Sequence, residues 1–129
     1  MPALDKIGAI TLFVDDLARS KAWYQRTFEL SVVYEDDDSS VLQLENTIVN
    51  LLKRSASHEL VAPSAVAPGS AGATFQLTIW VDDAHATCAT LADRGVQLVN
   101  GPMDRAWGQR TACFADPDGN LWEIAQTLT

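Results

Sequence analysis

The sequence predicts an α+β fold made of two tandem βαβββ modules. Residues 10–16 read ITLFVDD and residues 77–83 read LTIWVDD, so a run of β-branched and aromatic residues that ends in two aspartates occurs twice. Each run leads directly into apolar residues at the helical period, and short strand-like runs follow. A segment rich in Ala, Ser, Pro and Gly separates the two copies. The pattern predicts one domain over residues 1–129, with modules at 7–53 and 75–126 and a linker at 54–73.

Each first strand is expected to continue into a helix that an aspartate caps. Asp16 comes directly before Leu17, Tyr24 and Phe28, which recur on one side of a helix, and Asp83 takes the same position in the second copy. A carboxylate at this position accepts a hydrogen bond from a free backbone N–H of the first turn. Both helices should therefore begin directly after the second aspartate.

Three short strands are expected after each helix, because apolar runs alternate there with turn residues. The expected strands of the first module are 31–34, 41–44 and 47–53, with a charged turn at 35–39. Those of the second module are 96–100, 110–115 and 121–126, with a loop that runs through Trp107 and a turn at 116–120. In the linker, several Pro and Gly residues disfavour a long helix or strand.

Composition and charge exclude several classes of protein. Hydrophobic residues make up 47% and charged residues 20% of the chain, which is typical of a globular domain. Nine Lys and Arg against seventeen Asp and Glu give a net charge of -8, which disfavours phosphate backbones and anionic membranes. The apolar runs are far shorter than the roughly 20 residues of a membrane span. Neither nucleic acid nor a membrane is expected as a partner.

The two cysteines, Cys88 and Cys113, are too few for a secreted disulfide framework. The first residues also lack the basic, apolar, small-residue order of a signal peptide. We therefore expect a cytoplasmic protein with reduced thiols.

The order βαβββ, linker, βαβββ resembles the vicinal oxygen chelate superfamily, which includes glyoxalase I, extradiol dioxygenases, fosfomycin-modifying enzymes and bleomycin-binding resistance proteins. The likeness extends from Ile7 to Gln126 and rests on the strand ends VDD and the closing DPDGNLWE. Its most specific part is WGQR at 107–110 followed by FADPDGN at 114–120, which is similar to the last hairpin of the glyoxalase and bleomycin-resistance branch.

The resemblance implies that each module curls its mixed sheet into a U and that paired modules enclose a central cavity. Successive side chains of a strand point to opposite faces, and the uniformly apolar face should pack on the helices. The other face should line the cavity. Its expected members are Ala9, Thr11 and Phe13, Ile48, Asn50 and Leu52, Gln76, Thr78 and Trp80, and Leu121, Glu123 and Ala125.

Metal-dependent members of the superfamily hold their ligands at four such positions, which correspond here to Ala9, Asn50, Gln76 and Glu123. A catalytic metal needs at least three protein donors, usually imidazole or carboxylate. Ala9 donates nothing and Asn50 is a weak neutral donor, so only Gln76 and Glu123 match. The sequence therefore predicts no metal or other cofactor.

Glu123 is the candidate for acid-base chemistry, since it lies between apolar neighbours on its strand. A carboxylate in such a cavity suits a general base or a counter-ion for a cationic ligand. The alternative is a structural salt bridge with Arg110 on the adjacent strand.

Aromatic and polar side chains define the expected ligand site. Phe13, Trp80 and Trp107 should converge on the cavity, whereas Trp23 and Trp122 should fill the core. Indole rings beside a carboxylate suit a flat or cationic organic molecule. The expected ligand-binding residues are Thr11, Phe13, Asn50, Gln76, Thr78, Trp80, Trp107 and Arg110.

The resemblance and the expected site residues are compatible with two functions. One is metal-independent binding of an amphipathic, aromatic or cationic small molecule, as in bleomycin-resistance proteins. The other is a glyoxalase-like lyase or isomerase in which Glu123 removes a proton next to a carbonyl, with or without a divalent metal. The resemblance also implies a homodimer, because the cavity of small members is often completed by a second chain.

Overall fold

The computed structural model describes residues 2–129, and they form two compact units that divide between Gly69 and Ser70. The first unit contains β1 (Ala9–Val14), α1 (Leu17–Phe28), β2 (Val32–Glu35), β3 (Ser39–Gln43), β4 (Ile48–Lys53) and the short helix α2 (His58–Val61). The second contains β5 (Gln76–Trp80), α3 (Ala84–Asp93), β6 (Leu98–Asp104), β7 (Gln109–Ala115) and β8 (Leu121–Thr127). The predicted α+β class and the two βαβββ modules are confirmed.

Both units have the same sheet topology. The strand order is β1-β4-β3-β2 in the first sheet and β5-β8-β7-β6 in the second. The first and last strands of each unit are parallel neighbours, and the other pairs are antiparallel. The last strand of each module therefore lies in the middle of its sheet, between the first strand and the third.

The helix of each unit packs on one face of its own sheet and closes a core there. In the first unit the fully buried side chains include Tyr24 of α1 and Leu42, Val49 and Leu51 of the sheet. In the second unit Trp122, Phe114, Ile124 and Ala112 share the corresponding face with Leu91 of α3. The predicted alternation is confirmed in both copies, because the apolar face lies against the helix.

The predicted helix starts are also confirmed. The carboxylates of Asp16 and Asp83 accept from the backbone N–H groups of Arg19 and Ala86, each at 3.0 Å. Each aspartate thus satisfies one donor that the first helical turn leaves free.

The expected strand at 96–100 and the loop after it are wrong in extent. β6 begins at Leu98 and continues to Asp104, and its pairing with β7 shifts register twice. Gly101 lies at the second shift with a φ of 85°, and a methyl group there would overlap the carbonyl oxygen of Thr111. The strand continues because glycine permits this conformation and this close contact.

Candidate functional site

The candidate site lies on the side of the second sheet opposite α3, which we call the open face. The strand pairing shows which residues lie on this face. Thr78 of β5 and Cys113 of β7 lie on either side of Glu123 of β8. Trp80 of β5 and Thr111 of β7 lie on either side of Ala125. Side chains on one face of neighbouring strands are in contact distance. The predicted partition of β5 and β8 into a core face and an open face is therefore confirmed.

Glu123 is held by a hydroxyl from the neighbouring strand. The Thr78 Oγ1 donates to Glu123 Oε1 at 3.0 Å, and the Glu123 side chain is half-buried. Its second oxygen, Oε2, makes no hydrogen bond to another described residue, so it is free to accept from a ligand. The carboxylate is positioned on one side and available on the other.

Gln76 reaches across β8 toward β7. Its Nε2 donates to the Cys113 Sγ at 3.4 Å, and Cys113 lies directly beside Glu123 in the sheet. The Cys113 thiol is buried, whereas Gln76 is exposed. The amide, the thiol and the carboxylate therefore form one polar cluster on the open face.

A second polar cluster was not predicted from the sequence. The Arg105 Nε donates to the Thr111 Oγ1 at 2.8 Å, and its Nη2 donates to the Asn100 Oδ1 at 3.2 Å. Thr111 is 1% exposed and lies on the same face as Cys113. The turn after β6 brings Arg105 back over this face, where its backbone N–H bonds the Gln109 carbonyl at 2.7 Å.

Two indole rings stand at one end of the open face. Trp80 and Trp107 are each 69% exposed, which is unusual for side chains that gain so much from burial. The Trp107 Nε1 donates to the Gln109 Oε1 at 3.1 Å, and Gln109 lies beside Thr127, two residues beyond the Ala125 that pairs with Trp80. The ring faces are available for stacking.

Arg110 lies on the other face of the sheet from Glu123, and its role in ligand binding stays a prediction. In the sheet it lies beside Gln126, three residues from Glu123, so the two side chains point to opposite faces. Its Nε instead bonds the Asp104 Oδ1 at 2.6 Å. The hydrogen bond to Asp104 raises the pKa of Arg110, and the charge of Asp83 at the start of α3 adds to this effect. The alternative salt bridge between Arg110 and Glu123 is therefore wrong.

The first unit has a corresponding but simpler polar pair. The Asn50 Nδ2 donates to the Thr11 Oγ1 at 3.4 Å, and Phe13 is half-buried beside Leu52 on the same face. The Asn50 Oδ1 is buried and accepts no hydrogen bond. That these groups share one cavity with Gln76 and Glu123 stays a prediction.

The residues at the four superfamily ligand positions do not fit a divalent metal. Ala9 has no donor, the Asn50 amide nitrogen is directed to Thr11, and Gln76 donates to sulfur. Among residues 2–129, no three His, Cys, Asp or Glu side chains converge closely enough to hold a metal ion.

An open groove of about 560 Å³ lies on the helix side of the first sheet, away from every predicted site residue. It is lined by five acidic side chains and two lysines. One of these lysines, Lys21, forms an ion pair with Glu35, with 2.7 Å between Nζ and Oε2. The ion pair with Lys21 lowers the pKa of Glu35. The sequence predicted only a charged turn here, because the groove depends on how the 36–38 turn faces α1.

Three known proteins are similar to this chain over most of its length. YraH of Bacillus subtilis, an uncharacterized protein, is 32% identical over 127 residues, which cover 95% of this chain and 99% of that protein. The virulence protein STM3117 of Salmonella typhimurium is 29% identical over 126 residues, covering 95% of this chain and 85% of that protein. The crystal structure of TnmS3, an antibiotic binding protein from Streptomyces, has a TM-score of 0.74 and 26% identity, and covers 98% of this chain and 99% of that one.

A structure from Nocardioides, described as a glyoxalase/bleomycin resistance protein/dioxygenase, has a TM-score of 0.89 at 20% identity over 99% of this chain and 87% of that one. This likeness concerns the fold. No helix within residues 2–129 has both the length and the apolar character to cross a membrane.

The sequence profile of the Glyoxalase/Bleomycin resistance protein/Dioxygenase superfamily matches residues 6–124. With the duplicated βαβββ topology and this match over nearly its whole length, the chain belongs to the glyoxalase/bleomycin resistance protein/dioxygenase superfamily.

Proposed function

We propose that the protein binds a small amphipathic molecule, aromatic or cationic, on the open face of the second sheet, and that it does so without a metal. The observation that carries this proposal is a pair of exposed indoles: Trp80, which lies on the same face as Glu123, and Trp107, which is hydrogen-bonded to Gln109 at the end of β7 nearest to Trp80. Exposed tryptophans beside a positioned carboxylate favour a ligand that stacks and also donates hydrogen bonds.

The chemistry of the face supports binding more than turnover. Thr78 fixes one oxygen of Glu123, and the other is available to a ligand N–H or to a cation. The net charge of -8 adds a field that attracts cationic molecules. Proton abstraction next to a carbonyl would also need an electrophile for the developing enolate. Within residues 2–129, no cluster of three His, Cys, Asp or Glu side chains is placed to hold a metal ion for that role.

The relationship to TnmS3 is a further support, because that protein is an antibiotic binding protein and is 26% identical to this chain. The structural match to TnmS3 covers 98% of this chain at a TM-score of 0.74. We extend only the class of function, the capture of an organic molecule, to this chain.

The proposal is tested by isothermal titration against a panel of aromatic and cationic small molecules. We expect saturable binding at micromolar concentration, together with a change in tryptophan fluorescence. Binding should survive treatment with EDTA, and elemental analysis should find no stoichiometric metal. A panel without one binder, or a stoichiometric divalent metal required for binding, would contradict the proposal.

A matched pair of variants locates the site. Trp80→Ala removes an exposed ring from the open face and should weaken binding by about tenfold, as expected for the loss of one stacking contact. Leu60→Ala removes an exposed apolar side chain from α2 in the other unit and should leave the Kd unchanged. Equal effects of the two substitutions would place the ligand elsewhere.

The second candidate function is a glyoxalase-like lyase or isomerase with Glu123 as general base. It is favoured by the free Oε2 of a carboxylate that Thr78 already orients. In this case Glu123→Gln should abolish turnover of a 2-oxoaldehyde adduct or related carbonyl substrate and leave its binding nearly intact. Loss of binding without any wild-type turnover would instead assign Glu123 to ligand capture.

We also propose that the protein is a cytoplasmic homodimer. Val99 and Met103 are exposed on β6, an edge strand, and an apolar edge is suited to a partner surface. The free thiols of Cys88 and Cys113 are consistent with a reducing compartment. Light scattering should give twice the 14.0 kDa of one chain, and a stable monomer would contradict the dimer.

A further inference from the structure

The Arg105 side chain is held over the open face by two hydrogen bonds. Its side chain is half-buried, and both of its protein partners, Thr111 and Asn100, are neutral. Arg110 and Arg54, in contrast, each bond an aspartate at 2.6 and 2.7 Å. In a chain with seventeen acidic residues, the Arg105 guanidinium therefore has neutral partners in place of a carboxylate.

The two hydrogen bonds use one edge of the guanidinium and leave the other free. The Nε and the nearer N–H of Nη2 form a side-on fork, and this fork is directed to Thr111 and Asn100. The end-on fork, made by Nη1 and the second N–H of Nη2, has no acceptor among the described residues. Two parallel N–H donors in this geometry match the two oxygens of a carboxylate.

The protein holds this fork in place before any ligand binds. Thr111 is buried, and the hairpin turn at 105–108 ties the Arg105 backbone to Gln109. Because the side chain is already ordered, less conformational entropy is lost when an anion binds. A partly desolvated positive charge without a negative partner also favours an anion from solution.

One small molecule can reach both Arg105 and Glu123. Thr111 lies beside Ala125 and Cys113 beside Glu123, so Thr111 and Glu123 are diagonal neighbours, about 7–8 Å apart. The Arg105 Nε is 2.8 Å from Thr111. The open face therefore presents a donor fork and a free carboxylate oxygen within the length of an amino-acid-sized ligand.

We propose that Arg105 is an oxyanion subsite, and that the ligand is an aromatic molecule with a carboxylate for Arg105 and a hydrogen-bond donor for Glu123. This inference rests on the proposed function, and it narrows the ligand class. The ligand is amphoteric, not simply cationic. Its ring lies toward Trp80 and Trp107, its carboxylate binds the end-on fork, and its donor group faces the Glu123 Oε2.

The test compares three probes that share a phenethyl group: 3-phenylpropionate, its isosteric neutral amide 3-phenylpropionamide, and phenethylamine. Each is titrated into the wild-type protein by calorimetry and tryptophan fluorescence. We expect the carboxylate to bind at least about tenfold more tightly than the amide, as a bidentate charged hydrogen bond predicts. A wild-type protein that binds acid and amide equally, or binds neither, would overturn the subsite.

Arg105→Gln should remove this preference and leave the Kd of the amide within about twofold of the wild-type value. Arg19→Gln, which removes one positive charge from an exposed position on α1, is the matched control and should leave the preference intact. An unchanged acid-to-amide ratio in Arg105→Gln would contradict the proposal.

Thr111 is a positioning residue in this scheme. Thr111→Val removes the acceptor for Nε and should reduce the preference for the acid several-fold, while Thr111→Ser should restore it. The thermal midpoint of each variant is measured in parallel, so that loss of folding is separated from loss of anion recognition. Equal preference in the Val and Ser variants would show that the hydroxyl does not orient Arg105.

The result also separates the subsite from the proposed function. If phenethylamine and the amide bind and Trp80→Ala weakens them, but the acid has no advantage, the binding site stands and the oxyanion subsite fails. If no probe changes the tryptophan fluorescence or releases heat, both fail together.

Discussion

On the open face, several polar side chains are oriented by hydrogen bonds to neighbouring side chains and keep other polar atoms free for a ligand. Thr78 orients Glu123, Gln76 reaches Cys113, and Thr111 orients Arg105. The first two of these bonds join two strands, and the third joins a strand to the turn after β6, so the second sheet and its last hairpin set the geometry of the groups. Such prepared groups bind ligands with less loss of conformational freedom than flexible side chains do.

Gly101 allows the close approach of β6 to β7, the two strands of the hairpin that carries Arg105. In Gly101→Ala the new methyl group would overlap the Thr111 carbonyl oxygen and lie 2.8 Å from the Ala112 Cα, at a φ of 85°. We expect a loss of more than about 2 kcal/mol in the free energy of unfolding, since strain and overlap add. Urea denaturation measures this loss.

Gly95→Ala is the matched control for that variant. Gly95 also has a positive φ, 82°, but nothing lies within 4 Å of the position of its added methyl group. Only the backbone penalty of about 1 kcal/mol should remain. Equal losses at the two glycines would contradict the close contact of β6 with β7.

The Asp36 carboxylate organises the 36–38 turn and gives a prediction for the dependence of stability on pH. Its pKa is lowered first by the backbone N–H of Asp38, then by the hydroxyl of Tyr34 and by Ser39. A pKa that is lower in the folded chain stabilises the fold above the unfolded value, and this contribution is lost as the pH falls through the folded value. Asp36→Asn should therefore lower the Tm at pH 7, and the difference from wild type should narrow below about pH 4.

Thermal unfolding followed by circular dichroism between neutral and acid pH measures this difference. Asp37→Asn is the control, because Asp37 is exposed and makes none of the hydrogen bonds that hold Asp36. A gap between wild type and Asp36→Asn that stays constant down to acid pH would contradict the assignment.

Among the elements, the two aspartate pairs that follow β1 and β5 show how the duplicated sequence is used. In each pair the second aspartate caps the helix. The first is used differently: Asp15 binds Arg54 at 2.7 Å, whereas Asp82 lies exposed before α3. The helix therefore starts in the same way in both copies, whereas the first aspartate of the pair has different surroundings in each copy.

Removing the cap of α3 should destabilise the second unit measurably. Asp83→Ala leaves the Ala86 N–H without its acceptor and should cost about 1 kcal/mol in the free energy of unfolding. Asp82→Ala, one residue earlier, should change it by less than about 0.5 kcal/mol. Chemical denaturation of both variants checks the prediction, which fails if Asp82→Ala is the more harmful.

The elements that the sequence predicted well are those with a local signal. Asp16 and Asp83 mark the helix starts. Strict alternation along β5 and β8 separates Thr78 and Glu123 from the core residues that flank them on the same strands. The salt bridge between Arg110 and Glu123 was predicted wrongly because the face of Arg110 depends on the register between β7 and β8, which alternation within one strand does not determine. Arg105 was missed because the bend at Gly101 breaks the alternation of β6 before the chain reaches it.

At the scale of the whole molecule, the acidic charge affects how ligands arrive more than how they are held. With a net charge of -8, the chain attracts cations and repels anions over the screening length of the solution. That length falls from roughly 20 Å to roughly 6 Å between about 20 and 300 mM salt. The contact with Arg105 acts at hydrogen-bond distance and is affected far less.

Added salt should therefore change the association rates of the probes in opposite directions. The rate for phenethylamine should fall and that for 3-phenylpropionate should rise, each measured by stopped-flow tryptophan fluorescence. The neutral amide is the control and should be unaffected. Rates for the two charged probes that change in the same direction would contradict steering by the net charge.

The hydrogen bond between Thr78 and Glu123 joins residues 45 positions apart, from the first and the last strand of the second module. During synthesis on the ribosome, a growing chain that already contains β5, α3, β6 and β7 still has half of this pair missing. Since contacts between distant residues form late in folding, the ability to capture a ligand should emerge only when β8 is inserted between its two neighbours. Ligand capture by the nascent protein would therefore be a direct signal that the second module has been completed.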